Sequence, residues 1–367
     1  MDLLLDEGQI LLRDAARRLG AKAGPRRARE LRDAGREIDR TAWSAMVEAG
    51  WLAALVPENQ DGLGLGLFDL ALALEETGRQ IVMAPLVEGA AAIWAATTAM
   101  VASHPARAAL AGKLVVPATT VPGQRYDTAA SPSLDRGAMA LTGAVSFVAF
   151  APSADLFLVT AQARGEAILC LVRRETPGLA IATTPNVDGS TSSTLTFSRV
   201  AVAERDLIAR GEIAAASGAR MHELLVLGTS AELLGVAQAA LDVTLQHTRL
   251  REQFGKKIGS YQALQHRLVD CYVEAELNRS LLFRVLSAWD ANAGHPAMVS
   301  AVKARLGKGA LKTVRLALQL HGAIGYTDEH DIGVTYKRAV ALAAKYGNEI
   351  THVGRFSGLT LAQRAAE

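Results

Sequence analysis

Two stretches set the frame for the whole chain. One is Arg251-Glu252-Gln253-Phe254-Gly255-Lys256-Lys257-Ile258-Gly259-Ser260-Tyr261-Gln262-Ala263-Leu264-Gln265-His266, and the other is Gln319-Leu320-His321-Gly322-Ala323-Ile324-Gly325-Tyr326. Long amphipathic runs surround them. Leu227, Ala231, Leu234, Leu241 and Leu245 make an apolar stripe at helical spacing, and so do Leu264, Leu268, Cys271, Ala275, Leu282 and Val285. A further helix opens after Gly294 with Pro296 in its first turn, passes through Val302, Leu306, Ala310 and Ala317, and stops at Gly322. Helices joined by such short connections predict a four-helix bundle over residues 217–367.

Upstream the texture changes. Over residues 113–206 prolines punctuate short apolar runs, and Leu156–Val159, Ile168–Val172 and Thr194–Phe197 read as strands. In the last of these Leu195 and Phe197 alternate with Thr194, Thr196 and Ser198, which predicts one buried and one wetter face. Several strands without intervening helices predict a small antiparallel sandwich or barrel. Residues 1–112 return to helical patterning, broken by the Pro- and Gly-rich loop Val56–Gly66 and resumed over Leu67–Gly78. The arginines Arg26, Arg27, Arg29 and Arg32 alternate with Glu30, Asp33 and Glu37, the pattern of a solvated helix face. The fold class is therefore mainly α with a central β domain.

Composition narrows the function. The 367 residues carry 39 Lys+Arg against 37 Asp+Glu, a net charge of +2 that gives no one-signed surface for nucleic acid. Cys170 and Cys271 each sit in an apolar run, so neither a disulfide framework nor a thiolate metal site is expected. The eight histidines form no H-E-x-x-H pair. Gly62, Gly64 and Gly66 miss the dinucleotide fingerprint, and Gly307-Lys308-Gly309 lacks phosphate-loop spacing. The alanine-rich stretch Gly89–Ala102 is shorter than the ~20 residues a bilayer span needs, and no basic n-region opens the chain. The expected setting is the cytoplasm.

Together, R-x-Q-F-G at Arg251, Q-x-H-G-x-x-G-Y at Gln319, Gly50-Trp51-Leu52 leading to Val56-Pro57-Glu58, and Leu141-Thr142-Gly143 before Ala154-Asp155 resemble the flavin-dependent acyl-CoA dehydrogenase family. The resemblance runs through nearly the whole chain. It implies an N-terminal helical domain (1–112), a β-barrel middle domain (113–206) and a C-terminal bundle (217–367), assembled as a dimer of dimers around FAD. It also implies an acyl-CoA substrate and an electron-transfer flavoprotein as acceptor. Arg251 offers a delocalised cation to a pyrophosphate, and Gln253 a further donor. Phe254 offers an apolar ring, Gln319 belongs to the second motif, and Gly322 permits close backbone approach. Ala323 stands where the family has Gly.

Other family positions have lost their chemistry. The reaction takes a proton from the carbon next to the thioester, through a Glu that most members carry in Y-E-G-T. Here the matching segment is Lys345-Tyr346-Gly347-Asn348-Glu349, with Tyr346 at the base's place and Glu349 matching a second, non-catalytic Glu. Some members place the base on the helix leading into R-x-Q-F-G, where an ungapped count lands on Leu225. Glu223 and Glu232 are the nearby carboxylates, both out of register, since two residues turn a helical side chain by roughly 200°. The flavin-facing T-E-P-x-x-G-S-D strand is replaced by Pro117–Gln124, where Thr119 and Thr120 are the surviving hydroxyls, and W-x-T/S by Phe147-Val148-Ala149.

In the family, R-x-Q-F-G and Q-x-H-G reach toward the FAD of a neighbouring subunit, whereas the lost elements act within their own. The split suggests the degenerate subunit of an α2β2 acyl-CoA dehydrogenase, a form the family takes in steroid-degrading bacteria. Two rivals are a homotetrameric dehydrogenase whose base is Glu223 or Glu232, and a structural relative that binds no flavin.

Overall fold

The computed structural model describes residues 5–100, 110, 112–119 and 132–366. Its opening helices are α1 (Glu7–Gly20), α2 (Pro25–Asp33), α3 (Arg40–Glu48), α4 (Leu67–Arg79) and α5 (Leu86–Ala99). The strands β1 (Val115–Ala118), β2 (Ser133–Asp135), β3 (Ala140–Ala149) and β4 (Leu156–Ala163) follow. Next come β5 (Glu166–Arg173), β6 (Leu179–Pro185), β7 (Thr191–Ala201) and β8 (Leu207–Arg210). Helix α6 (Gly211–Leu250) leads into a ribbon of β9 (Glu252–Gln253) and β10 (Lys256–Lys257). The chain closes with α7 (Gln262–Asp290), α8 (Pro296–His321), α9 (Asp331–Ala344) and α10 (Glu349–Ala366). Compactness gathers these elements into two units, each assembled from separated segments.

The first unit comprises Met1–Ala34, Leu67–Met83 and Val226–Glu367. Its core joins Leu31 of α2, Leu233 and Val236 of α6, Val314 of α8, and Ile332 and Leu342 of α9. Of the apolar stripes read from the sequence, only Ala310 and Ala317 of α8 join this cluster; α6 turns Leu233 and Val236 into it instead. Helix α8 packs on α7, α9 and α10. Pro296 opens it, because the first-turn amide that proline lacks has no helical partner anyway. Gly322 ends it at φ 67°. Helices α4 and α6 touch backbone to backbone through two glycines. A Cβ on Gly78 would stand 2.1 Å from the Glu232 carbonyl oxygen, and one on Gly235 would stand 1.9 Å from that of Glu75. By length and composition α6 could cross a bilayer, an apolar stretch longer than Gly89–Ala102, but 89% of that window is buried within the protein.

The second unit comprises Gly35–Gly66 and Ala84–Leu225. Its strands make one eight-stranded sheet in the order β6-β7-β3-β2-β4-β5-β8, with β1 also on β4. Among the described residues no ladder joins β6 to β8, so the described strands do not close into a ring. The sequence reading anticipated antiparallel pairing throughout, yet β1 and β2 both run parallel to β4. The alternation in β7 holds, with Leu195 and Phe197 buried and Thr196 and Ser198 exposed. Glu37 is buried and accepts hydrogen bonds from Ser153 Oγ (2.7 Å) and from Thr191 Oγ1.

Candidate functional site

The R-x-Q-F-G segment begins on the last turn of α6 and folds into a minimal hairpin. Gln253 pairs with Lys256 and Glu252 with Lys257, leaving Phe254 and Gly255 as a two-residue turn. Both have positive φ, 56° and 81°, the signature of a type I′ turn. Glycine takes that conformation freely, whereas a bulky side chain is strained there. Phe254 is held in it while the residue is 92% exposed. The Tyr261 hydroxyl donates to the carbonyls of Gln253 and Phe254, each at 3.2 Å, and Lys256 Nζ sits 4.2 Å from the Tyr261 ring centre. Arg251 and Gln253 are exposed at the hairpin's root, and no carboxylate pairs with Arg251 among the described residues. An exposed cation and an exposed ring on a pinned turn make a surface shaped to receive something.

The second segment closes α8. The Gly322 amide donates to the Gln319 carbonyl, the Gln319 side chain is exposed, and a Cβ on Gly322 would meet nothing within 4 Å. Its neighbour His321 is buried and stacks on His247 of α6, with ring centres 4.3 Å apart, and lies 4.7 Å from His330 at the N-cap of α9. His321 Nδ1 lies 2.7 Å from the Ala317 carbonyl, which makes it the protonated nitrogen and leaves Nε2 a buried lone pair without a partner. Burial holds both His247 and His321 below the usual imidazole range. Sequence reasoning singled out neither His247 nor His330. The available signal was that His247 lies in the last turn of α6, four residues before Arg251.

The turn between α9 and α10 is held by hydrogen bonds at both ends. Tyr346 has φ 58° and Gly347 φ 106°. His352 Nε2 donates to the Tyr346 carbonyl at 3.0 Å, and a Cβ on Gly347 would stand 2.8 Å from that same nitrogen. Burial lowers His352 to about 4, so it is a neutral donor. Lys303, 1% exposed, donates to the Leu342 carbonyl in the last turn of α9, and burial pulls its pKa down to about 7. Asn348 caps α10 through Thr351 N at 3.0 Å, and Glu349 lies 3.4 Å from Lys308.

The two acidic candidates are each held by an arginine. Glu232 is buried on α6, its carboxylate held by the buried guanidinium of Arg338. Glu223, also buried, has Arg220 at 3.2 Å on the same helix. Leu225, the ungapped position of an α6 base, is fully buried and apolar. In the sheet, Phe147 sits at φ 61° where the β3–β7 register shifts, its ring 57% exposed. Thr119 follows the end of β1, and Thr120 lies outside the described residues.

Residues 6–113 match the acyl-CoA dehydrogenase N-terminal domain, and residues 226–353 match the acyl-CoA dehydrogenase C-terminal domain. The chain belongs to the acyl-CoA dehydrogenase family. Among its relatives, acyl-CoA dehydrogenase IpdE2 of Mycobacterium tuberculosis is 29% identical over 338 residues, 91% of each chain. The Tcur3481-Tcur3483 steroid ACAD, solved as a variant, superposes with a TM-score of 0.87 at 28% identity, covering 98% of this chain and 99% of that one. The ChsE4-ChsE5 complex from Mycobacterium tuberculosis has the same fold, with a TM-score of 0.88 at 23% identity over 100% and 99% of the two chains. The flavin such dehydrogenases use can be tested against the residues present. Open space over Gly322, the unpaired Arg251 and the exposed Phe254 ring suit one edge of a dinucleotide. In the sheet the fit is poorer, because Ala149 has no hydroxyl to offer a flavin nitrogen.

Proposed function

We propose that this chain is the partner subunit of a heteromeric, FAD-dependent acyl-CoA dehydrogenase, supplying one edge of the flavin sites and leaving the catalytic base to another chain. The observation that carries the reading is a contrast within one unit. The Arg251–Gly255 hairpin presents an exposed ring and a cation that pairs with no carboxylate among the described residues, whereas Tyr346 occupies the position of the family's Glu. Glu232 cannot accept a substrate proton freely while Arg338 holds it buried, since abandoning that pair would strand a charge. Glu223 is likewise buried beside a cation. In such an assembly Arg251 would hold the pyrophosphate, Gln253 and Gln319 would add hydrogen bonds, Phe254 would cover an apolar face, and Gly322 would admit the ligand against bare backbone. FAD, when bound, supplies the acceptor for the substrate hydride.

The acyl group is taken to be a steroid-derived CoA ester, on the strength of the 28%-identical steroid ACAD, whose name pairs two chains. Reoxidation would fall to an electron-transfer flavoprotein. The test is the visible spectrum of the chain purified alone and then co-expressed with an acyl-CoA dehydrogenase-like chain from the same operon. No absorbance near 450 nm alone, and about one flavin per two chains together, is the expected outcome. One flavin per chain and turnover in the homomer would overturn it.

A further inference from the structure

The three clustered imidazoles, of which His247 and His321 are stacked, have no place in the flavin reading, yet they join its two motifs. His247 leads into Arg251, His321 immediately precedes Gly322, and His330 begins the helix that follows the second motif. Their ring centres lie 4.3, 4.7 and 6.5 Å apart. Hydrophobic surroundings serve such a stack only while the rings are uncharged, because like charges at these separations repel in a poorly solvated site. The buried, partnerless Nε2 of His321 is the weak point: it would have to be the second site of protonation on that ring, with no acceptor to receive the new N–H.

We propose that His247, His321 and His330 form a proton-gated latch, closed while neutral, that holds the Arg251 hairpin and the Gly322 turn in register as a single dinucleotide-binding edge. These are positioning residues, acting through Arg251 and Gly322. The inference deepens the flavin reading in its purpose, but the latch itself is a property of the chain without flavin.

The charged groups flanking the cluster in the chain include Arg251, Asp328, Glu329 and Asp331, and two of these carboxylates already pair with cations. Just past the end of α6, the positive charge of Arg251 disfavours protonation of His247, and His330 adds the same effect on both other rings. From α8 the polar contact is the Ala317 carbonyl, already used by His321 Nδ1. At the start of α9, Asp331 is taken by Arg29 of α2 (2.8 Å), and Asp328 by Arg32 of α2 and by Lys337. The sign follows. Folded His247 and His321 bind protons less readily than in the open chain, so closure is complete above the ordinary imidazole pKa of 6.5 and weakens as pH falls through it.

The experiment is amide hydrogen exchange on the full chain without flavin at pH 7.5 and 5.0, corrected for intrinsic rates, with histidine Cε1–Hε1 NMR titration alongside. Protection of segments 244–262 and 317–333 should fall together, by about ten-fold or more, since each proton taken up on opening is worth up to ten-fold per pH unit. His247→Phe keeps a ring in the stack but cannot titrate, and His330→Asn keeps the cap acceptor of α9. Each should blunt the acid-induced opening while leaving protection at pH 7.5 in place. Opening of one segment alone, an unchanged acid response in both variants, or three rings titrating independently at the ordinary value would overturn the latch. None of these results depends on whether the chain meets FAD, which the spectrum of the co-expressed complex decides separately.

Discussion

Arg338 heads the fully buried side chains by volume, and its charge is met by Glu232. Removing one member of such a pair costs far more than the pair contributes, because the other charge stays in the core. Glu232→Gln should therefore destabilise the protein by about 3–5 kcal/mol, and adding Arg338→Met should return much of that. Urea unfolding of the single and double variants checks it; additive losses would refute the account. Lys303 makes a second prediction. Its folded pKa of about 7 lies below the unfolded 10.5, so its penalty is absent above 10.5, accumulates as pH falls, and is complete near 7. Lys303→Met should flatten the rise of stability with pH across that window, and an unchanged slope would remove this role. Neither network was legible in the sequence. Glu232 and Arg338 are 106 residues apart, and only the packing of α6 on α9 makes a possible base into a structural anion.

Individual elements were more readable where a local rule was strong. Pro296 and Gly322 mark the ends of α8 because proline lacks an amide and glycine accepts φ > 0. The strand alternation of β7 survives because its period of two does not depend on neighbours. The type I′ turn was hidden, since Phe254 is not among the residue types that favour its first position. That mismatch predicts a trade. Phe254→Asn should leave the hairpin as stable or raise Tm slightly, while lowering flavin retention in the co-expressed complex at least several-fold. Thermal melts and flavin absorbance after gel filtration measure both, and unchanged retention would separate the ring from the cofactor. The crossing of α4 and α6 was equally invisible, because Gly78 and Gly235 look like ordinary weak points in helices. Gly235→Ala should cost about 3 kcal/mol or more, as the new methyl has only rigid backbone to displace.

For the molecule as a whole, a linear reading proposes consecutive blocks, whereas compactness is decided by which segments bury one another. The first unit takes Met1–Ala34 and Leu67–Met83 from one end of the chain and Val226–Glu367 from the other. Burial of Leu31 and Ile81 is provided by residues such as Leu233, Val314 and Ile332, all more than 150 positions away. On the ribosome, this separation becomes a waiting time. The early helices emerge with their apolar faces uncovered, and the surfaces that cover them arrive about 10–40 s later at ordinary elongation rates. A nascent chain arrested about 40 residues beyond Leu225 should thus protect Ser133–Arg210 from protease while Glu7–Asp33 is cut, and protection of both would refute this order. Until synthesis passes α9, the amino terminus is a client for whatever chaperone meets exposed apolar helices first.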